Sequence, residues 1–183
     1  MNFFKSKTNL SESEAAKRAD IERKIKTYKA EGHRVPSRKM IKTEAQIEGI
    51  RRSAAVNTAV LDWVAKHIRV GMSTEEINVL VHHYTVEHGA IPAPLNFEGF
   101  PKSVCTSVND EVCHGIPAPD VILRDGDIVN VDVSTILDGY FSDASRMFLI
   151  GEVKPEVKKL VRVARECLER GFKAARPWGF LGD

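Results

Sequence analysis

The stretch Asp127-Ile128-Val129-Asn130-Val131-Asp132-Val133-Ser134-Thr135-Ile136-Leu137-Asp138-Gly139-Tyr140-Phe141-Ser142-Asp143-Ala144-Ser145-Arg146-Met147-Phe148 decides the fold. Two β-prone runs flank Asp138-Gly139, a dipeptide that favours a two-residue type I′ turn because both positions tolerate positive φ. Such a turn sets Leu137 against Tyr140 and Ser134 against Asp143. Asp132 then becomes the diagonal neighbour of Asp143 on one face, about 7–8 Å away at the backbone. An odd-length loop would put the two carboxylates on opposite faces. Val129, Val131 and Val133 fill the other face. Carboxylates placed in this way repel unless water or a cation neutralises them, and oxygen-rich sites suit divalent manganese, magnesium, iron or cobalt. From the pattern alone, an acidic face turned to water is the commoner arrangement.

Upstream of the hairpin, Pro92, Pro94, Pro101, Pro117 and Pro119 punctuate short β-prone runs such as Val104 to Val108. His114 lies there, in the Gly/Pro-bounded turn Cys113-His114-Gly115-Ile116-Pro117. A loop histidine can meet a substrate or a metal, although a lone one is more often plain surface. Earlier still, Ile47, Ile50, Ala54, Leu61, Val64 and Ile68 mark one apolar helix face. Ser73 and Glu76 form a capping box that opens a helix over Ile77, Leu80, Val81 and Tyr84, with Gly89 as its stop. His82, His83 and His88 point to different faces of that helix and share no ligand pattern with a carboxylate. Downstream, Pro155 suits the first turn of a last helix. Val157, Leu160, Val161, Ala164, Leu168 and Phe172 supply its buried side. Helices, then several strands, then a helix predict an α+β class and not a Rossmann-like alternation.

Residues 1–39 read as a basic helical extension and linker. Ser11 and Glu14 form a capping box, the helix runs to about Ala30, and it stops at Gly32. Residues 1–42 hold 12 Lys and Arg against 5 Asp and Glu, a net of +7, while the remainder is net −5. A basic segment on an acidic body steers toward a polyanion such as ribosomal RNA, and it is also what a solvated helix without a partner looks like. The chain has 183 residues, 43% of them hydrophobic, enough for one domain with a core. No apolar run approaches the roughly 18–20 residues that span a bilayer, and residues 1–10 lack the apolar stretch and cleavage site of a signal peptide. Three cysteines, an odd count without a CxxC pair, favour a reducing cytoplasm over a disulfide framework.

Several strings agree together with one family. Pro101-Lys102-Ser103-Val104-Cys105, Ser107-Val108-Asn109, Val112-Cys113-His114-Gly115-Ile116-Pro117, Asp125-Gly126-Asp127-Ile128-Val129-Asn130-Val131-Asp132, Asp138-Gly139 and Asp143 strongly resemble type I methionine aminopeptidases. The resemblance runs from about Met40 to the end. It implies the pita-bread fold of creatinases and aminopeptidases, two pseudo-symmetric α+β halves around a dinuclear metal site, with residues 40–183 as the amino-terminal half. By this resemblance Asp143 bridges two divalent ions (cobalt, manganese, iron or zinc) and Asp132 holds one of them. His114 matches a pocket histidine that contacts substrate and stabilises the transition state. Phe97, Phe100 and Cys105 line the pocket for the methionine side chain, an unbranched thioether suited to apolar, aromatic and sulfur surfaces. Asn109 falls in a segment that binds a monovalent cation in some members. The implied activity is hydrolytic removal of the initiator methionine from nascent polypeptides.

Pro94 and Asn96 depart from the family pattern, where a small or sulfur residue and a glycine are expected, and phenylalanines stand where tyrosines are frequent. The family's second half, which carries one histidine and two glutamates as ligands, has no counterpart here. On this reading the chain is a fragment, a truncated product or half of a split protein. It is expected to be inactive alone, with apolar surface uncovered on the last helix and the hairpin. Two other readings remain: a proline-directed peptidase of the same fold, and a non-catalytic pita-bread module that binds ribosomes or RNA through residues 1–39. Neither DNA nor a membrane is expected as a partner.

Overall fold

The computed structural model describes residues 12–180 and 182, and the chain divides into two compact units, Met1–Thr43 and Glu44–Asp183. The first contains helix α1 (Glu12–Ala30) and a short 3-10 turn at Arg38–Met40. Along α1, Asp20 pairs with Arg23 at 2.6 Å and with Lys24 at 3.2 Å. The helix ends before Gly32, whose φ of 84° is the left-handed geometry that suits a helix stop. Ser11, the expected cap, lies outside the described residues.

In the second unit, α2 (Glu44–His67) and α3 (Thr74–Glu87) precede a four-stranded antiparallel sheet. The α3 capping box is complete: Ser73 N–H donates to Glu76 Oε2 at 2.7 Å, and Glu76 N–H donates to Ser73 Oγ at 3.1 Å. The Ser73 N–H and the Ser73 hydroxyl, which donates to the same Oε2 at 2.9 Å, hold the Glu76 carboxyl below its ordinary range. The sheet comprises β1 (Ile91–Pro92), β2 (Cys105–Val108), β3 (Ile128–Leu137) and β4 (Tyr140–Leu149). β3 is the centre: β1 and β2 pair along one side of it and β4 along the other. The Asp138-Gly139 turn takes φ 51° and 80°, the type I′ signature. It sets Leu137 against Tyr140 and Ser134 against Asp143, as parity requires.

Val129, Val131 and Val133 have no exposed surface and pack with Val60, Val64, Ile77, Val81, Val104 and Leu123. Burying such a side chain stabilises by about 1.5–3 kcal/mol, so this layer fixes which face of β3 is inward. α2 lies against β3 and β4, and its contact is partly polar. Gly49, Ser53 and Asn57, spaced four apart, are buried on one helix face. A Cβ at Gly49 would meet the Tyr140 ring at 2.5 Å, so only glycine allows this approach. Ser53 Oγ meets the Ser142 hydroxyl at 2.9 Å and donates to Thr135 O at 3.2 Å; Asn57 Nδ2 donates to Val133 O at 2.6 Å.

Helix α4 (Pro155–Ala174) starts at Pro155 as predicted, yet it has no buried residue. Leu160 is 62% exposed, Leu168 74% and Phe172 81%, while Val157 and Val161 are half-buried. The side expected to be buried is therefore an uncovered apolar stripe. Nothing among the described residues of this unit closes over it. The physical reason is that helical periodicity marks a face able to pack and does not supply the surface that packs on it.

Candidate functional site

The faces of β3 and β4 opposite the valine layer open onto a cleft of about 730 Å³. Its walls include all six residues singled out from the sequence: Phe97, Phe100, Cys105, His114, Asp132 and Asp143. Each arrives by a different route. Asp132 lies in the middle of β3, facing Cys105 on β2 and Ser145 on β4. Asp143 comes from β4, opposite Ser134, whose hydroxyl donates to Asp143 Oδ1 at 2.8 Å.

Phe97 and Phe100 sit on and just after a 3-10 turn, Phe97–Gly99. The turn is built from left-handed backbone: Asn96 at φ 65°, Glu98 at φ 48° and Gly99 at φ 86°. Asn96 is the departure from glycine noted in the sequence, and asparagine is among the few side chains that enter this region readily. Pro94 also lines the cleft.

His114 is exposed at the end of the segment that follows β2, with φ 56°. Its position is held by its neighbour. Thr106 N–H donates to Gly115 O at 2.9 Å, and Gly115 N–H donates to Ser107 Oγ at 3.2 Å. A Cβ at Gly115 would fall 2.1 Å from Thr106 O, so the close approach needs glycine. A left-handed, non-glycine residue inside a cleft is the kind of strain that structures retain at working sites. The base of the same segment is clasped by Asn109. Its Nδ2 donates to Asp127 Oδ1 at 2.8 Å and its Oδ1 accepts from Ile128 N–H at 3.1 Å.

Burial, followed by the adjacent charge of Asp143 and a hydrogen bond to it, pushes the Asp132 carboxyl above its ordinary range; His114 acts in the opposite sense. Burial, with Asp132, Cys113 and Asp143 adding to it, pushes the Cys105 thiol up to about 11. Two crowded carboxyls, one of them half-buried, form a donor set that fits a hard or borderline divalent cation. Among the described residues no group of three or more His, Cys, Asp or Glu is arranged to hold a metal. The pair therefore fits as a share of an ion site, not as a whole one. The histidines of α3 serve elsewhere: His82 Nδ1 meets Ser103 Oγ at 2.9 Å, and His88 Nδ1 meets Tyr84 O at 2.8 Å.

The sequence pattern missed Ile116 and Glu98 on the cleft wall. It also missed the Ser53 and Asn57 pegs behind the hairpin. The signal for the pegs was present, as small and polar residues four apart on an otherwise apolar helix.

Residues 48–183 match Metallopeptidase family M24. The chain is 46% identical over 138 residues to methionine aminopeptidase A of Synechocystis, a match that covers 75% of this chain and 54% of that protein. The crystal structure of methionine aminopeptidase from Rickettsia prowazekii is similar with a TM-score of 0.70 and 44% identity, over 72% of this chain and 52% of that one. X-Pro aminopeptidase from Thermotoga maritima is similar with a TM-score of 0.63 and 27% identity, over 75% and 37%. The chain spans about half the length of the curated relatives it matches. The second unit is thus part of a pita-bread fold.

Proposed function

Since the chain belongs to metallopeptidase family M24, we propose that it is the amino-terminal half of a methionine aminopeptidase, which removes the initiator methionine from nascent polypeptides. The observation that carries this reading is the convergence of Phe97, Phe100, Cys105, His114, Asp132 and Asp143 on one cleft. Asp132 and Asp143 would hold divalent ions, of which cobalt, manganese, iron and zinc are the candidates. Such ions supply a Lewis acid and an activated water when bound. Ser134 orients Asp143 by donating to Oδ1. Phe97, Phe100 and Cys105 receive the thioether side chain, and the neutral Cys105 thiol offers a soft, uncharged wall. His114 holds an imidazole N–H toward the peptide carbonyl and stabilises charge as it develops there.

This half supplies two carboxylates, so the chain alone is expected to be inactive. The test uses a full-length version of the protein and compares Met-Ala-Ser with Ala-Pro peptides. Methionine release from the first supports the reading. Cleavage of only the second would assign the proline-directed specificity named by the Thermotoga relative.

For the basic segment we propose a ribosomal contact through residues 1–39, supported by the net charge of +7 within residues 1–42. Removing it should weaken ribosome co-sedimentation in a salt-dependent way. Equal co-sedimentation with and without it would leave a solvated helix. Three free thiols, Cys105, Cys113 and Cys167, suit a cytoplasmic setting. Among the described residues no helix is long and apolar enough to cross a membrane.

A further inference from the structure

Glu98 occupies the turn between the two phenylalanines of the cleft and lines the same walls as Asp132 and Asp143. Its backbone is left-handed, φ 48° and ψ 30°, two residues after Asn96 at φ 65°. Both lie in the small left-handed region that few side chains adopt, and the turn places Glu98 on the cleft wall. The residue is exposed. Among the described residues no Lys or Arg lines the cleft. Lys102, which is near in sequence, is committed to Glu75 at 2.6 Å. Asp132 and Asp143 are engaged with each other and, on the reading above, with cations. Among the described residues Glu98 is then the acidic group on the wall without a counter-charge.

A peptide whose first side chain fills the apolar part of the cleft must send its later residues out across the open mouth. We propose that Glu98 is a specificity-determining residue that favours substrates carrying a cationic side chain at the third position over those carrying an acidic one. This rests on the aminopeptidase reading, and the chemistry is charge complementarity at an exposed rim.

The test uses a full-length, metal-loaded version and the peptides Met-Ala-Lys-Ser, Met-Ala-Gln-Ser and Met-Ala-Glu-Ser. The kcat/KM for the lysine peptide should exceed that for the glutamate peptide by about 3- to 10-fold at low salt, the range expected of exposed ion pairs and repulsions. The ratio should shrink as salt is raised toward about 1 M, where screening acts within about 3 Å. Glu98→Gln should bring the ratio close to one, and Glu98→Asp should keep part of it. Glu98→Gly, which suits positive φ, repeats the test if the glutamine variant folds poorly. An unchanged ratio in Glu98→Gln and Glu98→Gly overturns the proposal, as does equal cleavage of all three peptides by the parent. Release of methionine from none of them overturns the aminopeptidase reading, and this proposal with it.

Discussion

Cys105 stands directly across the β2–β3 ladder from Asp132. A protonated thiol therefore faces the half-buried carboxyl on one side while Ser145 faces it on the other. At neutral pH the thiol carries no charge and does not compete with the carboxylates for a cation. On the proposed reading the ion-holding work would fall to Asp132 and Asp143, and their substitutions should separate cleanly from that of His114.

In a full-length version, Asp143→Asn should abolish cleavage of Met-Ala-Ser, since it removes the charge of a ligand expected to serve both ions. Asp132→Asn should be severe, with partial recovery in excess metal. His114→Ala should leave metal content nearly intact and lower turnover roughly 100- to 1,000-fold, the scale of a lost transition-state hydrogen bond. Metal stoichiometry measured beside activity decides the roles. Loss of metal from His114→Ala with retention in Asp132→Asn would reverse the assignment.

The raised titration of Asp132 has a signed consequence. The folded chain holds the carboxyl proton more tightly than the unfolded chain does. That contribution is fully present below the unfolded value of about 3.9 and is lost as pH rises through the raised folded value. Metal-free Asp132→Asn should therefore melt higher than the parent at pH 7, and the gap should close toward pH 3. A divalent cation should reverse the order at pH 7. Identical melts of the metal-free proteins at pH 7 would mean that Asp132 carries no such burden.

Behind the hairpin, Ser53→Ala removes the hydroxyl that meets Thr135 and Ser142. It should cost about 1–3 kcal/mol, the penalty for leaving buried polar groups short of a partner. Asn57→Leu should cost at least as much, because Val133 O loses its 2.6 Å donor. Urea unfolding of both variants measures this. A change below about 0.5 kcal/mol, the size usual for surface substitutions, would show that the pegs are dispensable.

Expressed alone, the chain should self-associate or aggregate through α4, where Leu168 is 74% and Phe172 81% exposed. Contiguous apolar surface of this kind rarely stays uncovered. Leu168→Lys combined with Phe172→Lys should shift the chain toward monomer in size-exclusion chromatography with light scattering. A monodisperse parent with a sharp melt would remove the basis for this expectation.

The hairpin was the most legible part of the sequence, because Asp138-Gly139 fixes parity and parity fixes which side chains share a face. The Ser73–Glu76 cap and the Pro155 helix start were legible for the same reason: each is decided within a few residues. The family strings led to His114, Phe97, Phe100 and Cys105, which no local rule would have joined. Glu98 escaped because its placement depends on left-handed backbone at Asn96 and Glu98 that composition does not announce. The stripe on α4 was read correctly as a stripe, but whether anything covers it is a tertiary matter outside the reach of periodicity.

β3 is flanked on both sides, so the position of Asp132 is measured twice, once against Cys105 and once against Ser145. This gives the site a form of error correction. A residue gained or lost between Asn109 and Asp127 would not slide the carboxylate, because the tight β3–β4 hairpin keeps the count. A change in the hairpin turn is opposed in turn by the β2 ladder. A change in the segment that carries His114 would therefore move that side chain while Asp132 stays in register.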